Sequence, residues 1–158
     1  MNVVSLNRGT VSKVVPKVIE DWYAAFGSDW IEWGPSIQIT QKMIDAYVAA
    51  LELKNPLHGQ GGPFAKALAP GFLALGLAER LVPPRMLDTP AEYAMLMKHV
   101  DCHWVRGVSA DSWVKMRCQK TGILAADEVG TTAGFFFDIA FDTDVTAIHG
   151  SVDLKFIW

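Results

Sequence analysis

The spacing of apolar residues divides the chain into a helical first half and a second half in which apolar and polar residues alternate. Residues 17–26 carry apolar side chains at helical intervals, and Gly27 follows them, so we predict a short helix that ends there. Thr40 precedes a second segment with the same periodicity and offers a hydroxyl that can cap a helix. The residue before Pro56 resists helical dihedral angles, so this second helix is predicted to end there.

A third apolar segment begins at Gly71 and is stopped by two consecutive prolines, the first of which is Pro83. Its first two turns have almost no polar position, which predicts a central helix over about residues 71–82 that is buried on all sides. After Pro90 the period changes to two. Extended segments are predicted over 99–104, 113–120, 134–141 (the most apolar, suited to a central strand) and 147–158, with turns at 120–122 and 142–144. This order predicts an α+β domain in which an antiparallel sheet wraps around the central helix.

Composition and charge narrow the classes of partner. Hydrophobic residues make up 51% of the 158 residues, so we expect that another subunit covers part of the surface. The formal net charge is −3 and the basic residues are scattered, which argues against nucleic-acid binding. Residues 1–15 lack the apolar core of a secretory signal, and no run approaches the ~20 apolar residues of a membrane span, so a cytoplasmic protein is expected. Cys102 and Cys118 show no metal-ligand spacing, which predicts two buried, reduced thiols and no metal.

One stretch carries candidate chemistry: the loop Asn55-Pro56-Leu57-His58, followed by Ala69-Pro70-Gly71-Phe72 at the start of the central helix. A histidine in a loop can act as a general base or acid near neutral pH. Backbone N–H groups beside Gly71 can stabilise a negative charge that develops on a bound carbonyl oxygen. Structural roles remain open for both residues, as a loop-closing histidine and as a glycine that permits close approach. For Asn55 the structural role is favoured, because Asn-Pro initiates turns.

These two motifs, with IQITQKMIDAY at 37–47 and GVSADSWVK at 107–115, resemble the MaoC-like hydratase/dehydratase family of the hotdog fold. The resemblance covers roughly residues 30–158 and leaves 1–29 as an N-terminal arm with a short helix. It implies a single hotdog domain that dimerises edge to edge, with acyl-thioester sites at the subunit interface. Members of the family add water to 2-enoyl thioesters of CoA or an acyl carrier, or remove it from 3-hydroxyacyl thioesters, without a further cofactor.

The resemblance also implies roles for individual residues. In the family, an Asp and a His in the pattern Asp-x-Asn-Pro-x-His hold the water and move protons, and an N–H beside the helix-opening glycine polarises the thioester carbonyl. By this resemblance His58 is the acid/base and Gly71 supplies the N–H. The predicted substrate-binding residues around them are Asn55, Leu53, Pro70 and Phe72.

The sequence departs from the family pattern at three positions. Leu53 stands at the position of the catalytic Asp, Glu52 at that of the preceding Gly, and Pro70 at that of the His before the helix glycine. A leucine exchanges no proton and would dry the water-binding position. Glu52 is one residue away, which on a helix turns a side chain by about 100°.

Asp101 and Glu79 offer other carboxylates as substitutes for the missing Asp. His99, Asp101 and His103 share one strand face and could supply a carboxylate if that face lines the cleft, although surface pairing is favoured. They are disfavoured as a metal site because alternate strand residues lie ~6.5 to 7 Å apart. Glu79 resembles the helix carboxylate of hotdog thioesterases, but its neighbours favour a plain surface position.

Three hypotheses follow. The first is a lyase, or a related cyclase or isomerase, that acts on an acyl-thioester or polyketide-like intermediate with His58 as its only acid/base. The second is a non-catalytic hotdog subunit that completes the acyl pocket of an active partner, favoured by Leu53 and Pro70. The third is a hotdog acyl thioesterase.

Overall fold

The computed structural model describes residues 14–90 and 93–157, so residues 1–13 of the predicted arm lie outside the described part of the chain. The helices are α1 (Lys17–Ala24), α2 (Gln41–Ala50), a 3-10 helix (Pro56–His58), α3 (Gly71–Gly76), α4 (Ala78–Leu81) and α5 (Pro84–Leu87). The strands are β1 (Ile37–Gln38), β2 (Ala94–Trp104), β3 (Trp113–Ala126), β4 (Gly130–Phe141) and β5 (Thr146–Ile157).

The five strands form one antiparallel sheet in the order β1-β3-β4-β5-β2. β4 lies in the middle and is buried along almost its whole length, as its apolar sequence predicted. β3, β4 and β5 are joined as consecutive hairpins, whereas β2 pairs with β5 at the far edge. The prediction of an α+β domain with an antiparallel sheet is confirmed.

One face of the sheet packs against the helices and forms the core. The register places Cys118 opposite Phe137 and Ile139 opposite Ile148, so alternate residues of β3, β4 and β5 share this inner face. Ala74 of α3, Leu81 of α4 and Leu77 between the two helices belong to the same buried cluster. The sheet therefore curls over these two short helices.

The central helix occupies the predicted position but is broken into two segments. α3 ends at Gly76, and Leu77 separates it from α4. Phe72 is 67% exposed, so the prediction that this helix is buried on all sides is wrong for its first turn. An apolar sequence indicates that a surface will be covered, but it does not say whether the same chain or another one covers it.

α1 completes the other end of the core with aromatic side chains. Trp22 meets Phe135 and Phe156 edge to face, with ring centroids 5.8 and 5.1 Å apart. The Tyr23 hydroxyl donates a hydrogen bond to the carbonyl oxygen of Gly134 (2.8 Å) and accepts one from the N–H of Gly122 (3.0 Å). The predicted helix after residue 16 is therefore an integral part of the fold.

The predicted turn at 120–122 is wrong, because β3 continues through it to Ala126. Gly122 has a positive φ of +88°, and the result is a shift in pairing with β4 between Lys120 and Leu124. The contact of Gly122 with Tyr23 anchors this irregularity. Local turn propensity does not contain such a tertiary contact.

Candidate active site

A short, well-capped turn positions the histidine of the first motif. Thr40 caps α2 as predicted, since its hydroxyl accepts the N–H of Met43 at 3.2 Å. After α2 the chain reverses at Glu52, whose φ is +51°. The side chain of Asn55 then accepts the N–H of Leu57 at 3.1 Å and caps the 3-10 helix. This contact gives Asn55 a structural role in placing the loop.

Two hydrogen bonds join the loop of His58 to the segment before α3. The N–H of Leu68 donates to the carbonyl oxygen of Leu57 at 2.8 Å. Nδ1 of His58 lies 2.7 Å from the carbonyl oxygen of Leu68. A carbonyl oxygen can only accept, so Nδ1 carries the proton of the neutral ring and Nε2 carries a lone pair. The half-buried imidazole is therefore held in the tautomer in which Nε2 can accept a proton.

No acid partner accompanies this histidine among the described residues. Leu53 is 37% exposed, and its backbone N–H donates to the carbonyl oxygen of Val48 at 3.0 Å. Glu52 is exposed and forms no hydrogen bond to His58 within the described chain. The carboxylate of Glu52 therefore does not replace the Asp that the family pattern has at position 53.

The segment before α3 brings a second polar feature to the same region. Ala69 donates its N–H to the carbonyl oxygen of Val108 at 2.7 Å, and Pro70 is buried. The N–H groups of Leu73 and Ala74 both donate to the carbonyl oxygen of Pro70. Among the described residues, the N–H groups of Gly71 and Phe72 have no acceptor. They are free to donate to a ligand.

A cavity of about 270 Å³ lies at the start of α3. Its walls combine the start of α3 with the chain that follows β2 and with one β5 residue: Ala69, Gly71, Ala74, Trp104, Val105, Arg106, Gly107, Val108 and Ile148. Among the predicted site residues, Gly71 is the one that lines this cavity. His58, Leu53, Asn55, Pro70 and Phe72 do not belong to its described walls.

The alternative carboxylates do not reach this cavity. Register places Asp101 opposite Ser151 and His103 opposite His149, on the face of the sheet opposite to the core. His103 stacks on His149 with ring centroids 5.3 Å apart. The favoured interpretation of this strand face as a surface is therefore confirmed, and the condition for a substitute carboxylate is not met, because the other side of β2 faces inward. Glu79 is exposed on α4, as a surface position predicts.

The cysteines show no sign of reactivity or metal binding. Both are free; burial raises the pKa of the Cys118 thiol to about 12, while the pKa of Cys102 is raised by partial burial and by Asp101. A raised pKa keeps a thiol protonated and unreactive. The prediction of two buried thiols is correct for Cys118, whereas Cys102 is only half-buried. Within the described residues, no group of three His, Cys, Asp or Glu side chains could hold a metal ion, and no helix is long and apolar enough to cross a membrane.

Trp104, Arg106 and Gly107 are cavity residues that the sequence did not single out as functional. The alternation of residues 99–104 pointed to Trp104 alone, because it placed this residue on the face opposite to His103. Nothing in that alternation indicated that the indole meets Gly71. The contact depends on the position of β2 at the edge of the sheet.

No family model and no curated protein matches the sequence. Solved structures do match, at low identity. The (R)-hydratase from A. caviae involved in PHA biosynthesis is 19% identical with a TM-score of 0.60 over 79% of this chain and 96% of that one. The MaoC-like dehydratase from Rhodospirillum rubrum is 11% identical with a TM-score of 0.64, over 83% and 92%. The 3R-hydroxyacyl-ACP dehydratase complex HadBC from Mycobacterium tuberculosis is 11% identical with a TM-score of 0.60, over 77% and 90%. The chain therefore has the hotdog fold of the MaoC-like dehydratases and (R)-hydratases.

Proposed function

We propose that the chain is a lyase of the hydratase/dehydratase type that acts on an acyl thioester, with His58 as its acid/base. The observation that carries the proposal is the hydrogen bond from His58 Nδ1 to the carbonyl oxygen of Leu68, which leaves Nε2 as a proton acceptor. The same segment leads to Gly71, whose N–H is available to a ligand. A base and an N–H donor on one short stretch are the minimum for adding water to a polarised enoyl thioester.

The proposed hydration proceeds through an enolate. Nε2 of His58 takes a proton from water while the water oxygen bonds to Cβ of the substrate, and the electron pair of the double bond moves to the thioester oxygen. The N–H of Gly71 donates to that oxygen and stabilises its negative charge. The imidazolium then returns the proton to Cα, so that the elements of one water are added. Dehydration is the same sequence in reverse.

Because Leu53 stands where the family pattern has an Asp, the proposed mechanism uses one acid/base group and not two. A single imidazole must both take and return the proton, because within residues 14–90 and 93–157 no carboxylate forms a hydrogen bond with His58. The apolar side chain at this position favours a substrate that brings its own acidic hydrogen or hydroxyl group, such as a polyketide-like thioester. Double-bond migration or ring closure on such a substrate would use the same proton transfer and the same N–H donor.

The position of Arg106 favours a substrate whose thiol carrier bears a phosphate group. It is exposed and belongs to the wall of the cavity, so it offers a positive charge to an anionic group of a ligand bound there. CoA and a phosphopantetheine-bearing carrier protein both offer a phosphate for this contact. No further cofactor is proposed.

We also propose that the β2 edge pairs with a second hotdog subunit. β2 pairs with β5 alone in the described sheet, and it exposes Met95, Leu96 and Met97, the last of them to 60%. An exposed apolar edge strand invites pairing with another chain. Light scattering should give the mass of at least a dimer. Met97→Lys should reduce it, whereas Val129→Lys, on an equally exposed turn, should not.

A non-catalytic partner subunit is the second candidate, and the replacement of the catalytic Asp by Leu53 favours it. HadBC is a complex of dehydratase subunits, so pairing of unlike hotdog chains has a precedent in this fold. In this case the purified chain is inactive alone and becomes part of an active enzyme with a subunit that carries the Asp and His. The thioesterase hypothesis has less support, because Glu79 is exposed.

The test is mass spectrometry of the purified protein with crotonyl-CoA, longer 2-enoyl-CoAs and polyketide-type thioesters. A mass change of one water supports the lyase, and an isomer of unchanged mass supports migration or ring closure. His58→Ala should lower the rate by more than ~100-fold, within the usual range for general acid–base groups. Release of free thiol would indicate a thioesterase. If nothing reacts, the lyase proposal fails and the partner candidate replaces it.

A further inference from the structure

We infer that the peptide group between Leu68 and Ala69, fixed by the carbonyl oxygen of Val108, positions the imidazole of His58 for proton transfer. The inference rests on the proposed function and deepens it, because it names the groups that hold the proposed base. Neither the sequence pattern nor the resemblance to the hotdog family assigned a role to Leu68 or Val108.

This peptide group forms a hydrogen bond at each end. Its carbonyl oxygen, on Leu68, lies 2.7 Å from Nδ1 of His58 and accepts the ring proton. Its N–H, on Ala69, donates to the carbonyl oxygen of Val108 at 2.7 Å. A chain of two hydrogen bonds therefore runs from the imidazole through the peptide to Val108. Each bond polarises the peptide in the sense that strengthens the other bond.

A short backbone ladder holds the peptide on both sides. Toward the histidine loop, the N–H of Leu68 donates to the carbonyl oxygen of Leu57 at 2.8 Å. Toward the chain that follows β2, Leu68 and Ser109 form an antiparallel bridge. The N–H of Ala110 donates to the carbonyl oxygen of Ala67 at 2.8 Å in the same ladder. The carbonyl oxygen of Leu68 is thus fixed in direction by the backbone alone.

Burial gives these backbone bonds their effect on His58. Ala69 is 9% exposed and Val108 is 3% exposed, so little water reaches the bond between them. When the imidazole takes up a proton, its positive charge faces the carbonyl oxygen of Leu68, and the aligned Val108 carbonyl adds to the same favourable field. In many histidine-based sites a carboxylate orients the ring. No described carboxylate forms a hydrogen bond with His58, and the polarised peptide takes that role here.

The first test uses the unmodified chain and needs no turnover. Amide and imidazole signals are recorded by NMR while the pH is lowered through the range in which histidines take up a proton. Protonation of His58 should polarise the peptide further, so the amide proton of Ala69 should shift along the same titration curve. The amide proton of Ala110, in the same ladder, should shift much less. An Ala69 signal that does not follow the ring, equal shifts at both amides, or a shift that persists in His58→Asn would overturn the inference.

The second test removes the N–H of the peptide. Ala69→lactic acid replaces this N–H by an ester oxygen and makes the carbonyl oxygen of Leu68 a weaker acceptor. Ala110→lactic acid makes the same change at another buried alanine of the ladder and is the matched control. The nitrogen chemical shifts of the imidazole report which ring nitrogen of His58 carries the proton, and crotonyl-CoA turnover gives kcat and KM.

In the Ala69 variant a share of His58 should move its proton to Nε2, and kcat should fall about 10-fold with KM unchanged, the effect of one hydrogen bond on a barrier. The Ala110 variant should keep the wild-type tautomer and kcat. An unchanged tautomer in the Ala69 variant, or the same change in both variants, would show that the Val108 bond only builds the ladder and would overturn the inference. If the Ala69 variant does not fold, the titration of the unmodified chain decides. Absence of turnover by the wild type would defeat the lyase proposal, whereas the two NMR measurements would still decide how His58 is positioned.

Discussion

Two substitutions of His58 should separate its proposed chemistry from its structural hydrogen bond. His58→Ala removes the base and the bond from Nδ1 to the carbonyl oxygen of Leu68. His58→Asn removes the base, but its side-chain amide can still donate from nearly the position of Nδ1. The comparison therefore distinguishes a histidine that moves protons from one that only closes a loop.

The expected magnitudes differ between the two properties. Both variants should lose more than ~100-fold of turnover, because neither offers a group that accepts a proton near neutral pH. Only His58→Ala should lose stability, by about 1 kcal/mol for one hydrogen bond. In a chain of 158 residues that loss lowers Tm by roughly 3 °C.

Thermal unfolding and crotonyl-CoA turnover are measured on the same preparations. His149→Asn is the matched control, since it changes an exposed histidine on the opposite face of the sheet. Near-wild-type turnover by His58→Asn would refute the assignment of Nε2 as the base. Equal Tm values for both His58 variants and the wild type would refute the role of the Leu68 bond.

Three further predictions concern stability. Tyr23→Phe removes a buried hydrogen bond to β4 and a partly buried one from β3, and should cost about 2 kcal/mol in urea unfolding; an unchanged midpoint would contradict this. Glu52→Gly relieves a positive φ and should stabilise the folded chain by up to about 1 kcal/mol. The greater freedom of glycine in the unfolded chain offsets part of this gain. A lower urea midpoint for this variant would argue against backbone strain at position 52. The pKa of Asp127 is lowered to about 2. The largest cause is the hydrogen bond from Lys155, and the next is the hydrogen bond from the N–H of Val129. The stabilising effect of Asp127 is therefore present above the unfolded pKa and is lost as the pH falls from about 4 to about 2. The unfolding free energies of wild type and Asp127→Asn should converge over that range, and a constant difference would contradict the pairing.

Features that depend on local sequence could be predicted. The cap at Thr40 and the turn at Asn55-Pro56 follow from side chains that bond their own backbone, and both are present. β4 follows from an apolar run that only a central strand can bury. These signals lie within a few residues of the structure that they specify.

Features that depend on contacts between distant parts of the chain could not be predicted from the sequence. Gly122 is a bulge and not a turn because Tyr23 of α1 accepts its N–H. Phe72 is exposed because no described element of the same chain covers it. The contact of Trp104 with Gly71 requires the register of β2 on β5, which no pattern within either segment encodes. The sequence therefore indicated the His58 loop and the start of α3 as candidates, but it did not indicate the cavity wall that Trp104 forms beside Gly71.

The central claim is that His58 drives water addition without an acidic partner at position 53. The most direct test incubates the purified chain with crotonyl-CoA in isotopically labelled water and follows the product by mass spectrometry. The claim predicts one labelled hydroxyl in the 3-hydroxybutyryl product, formed by the wild type and lost in His58→Asn. Labelled product at equal rates from both proteins, or none from the wild type with any enoyl thioester offered, would contradict it.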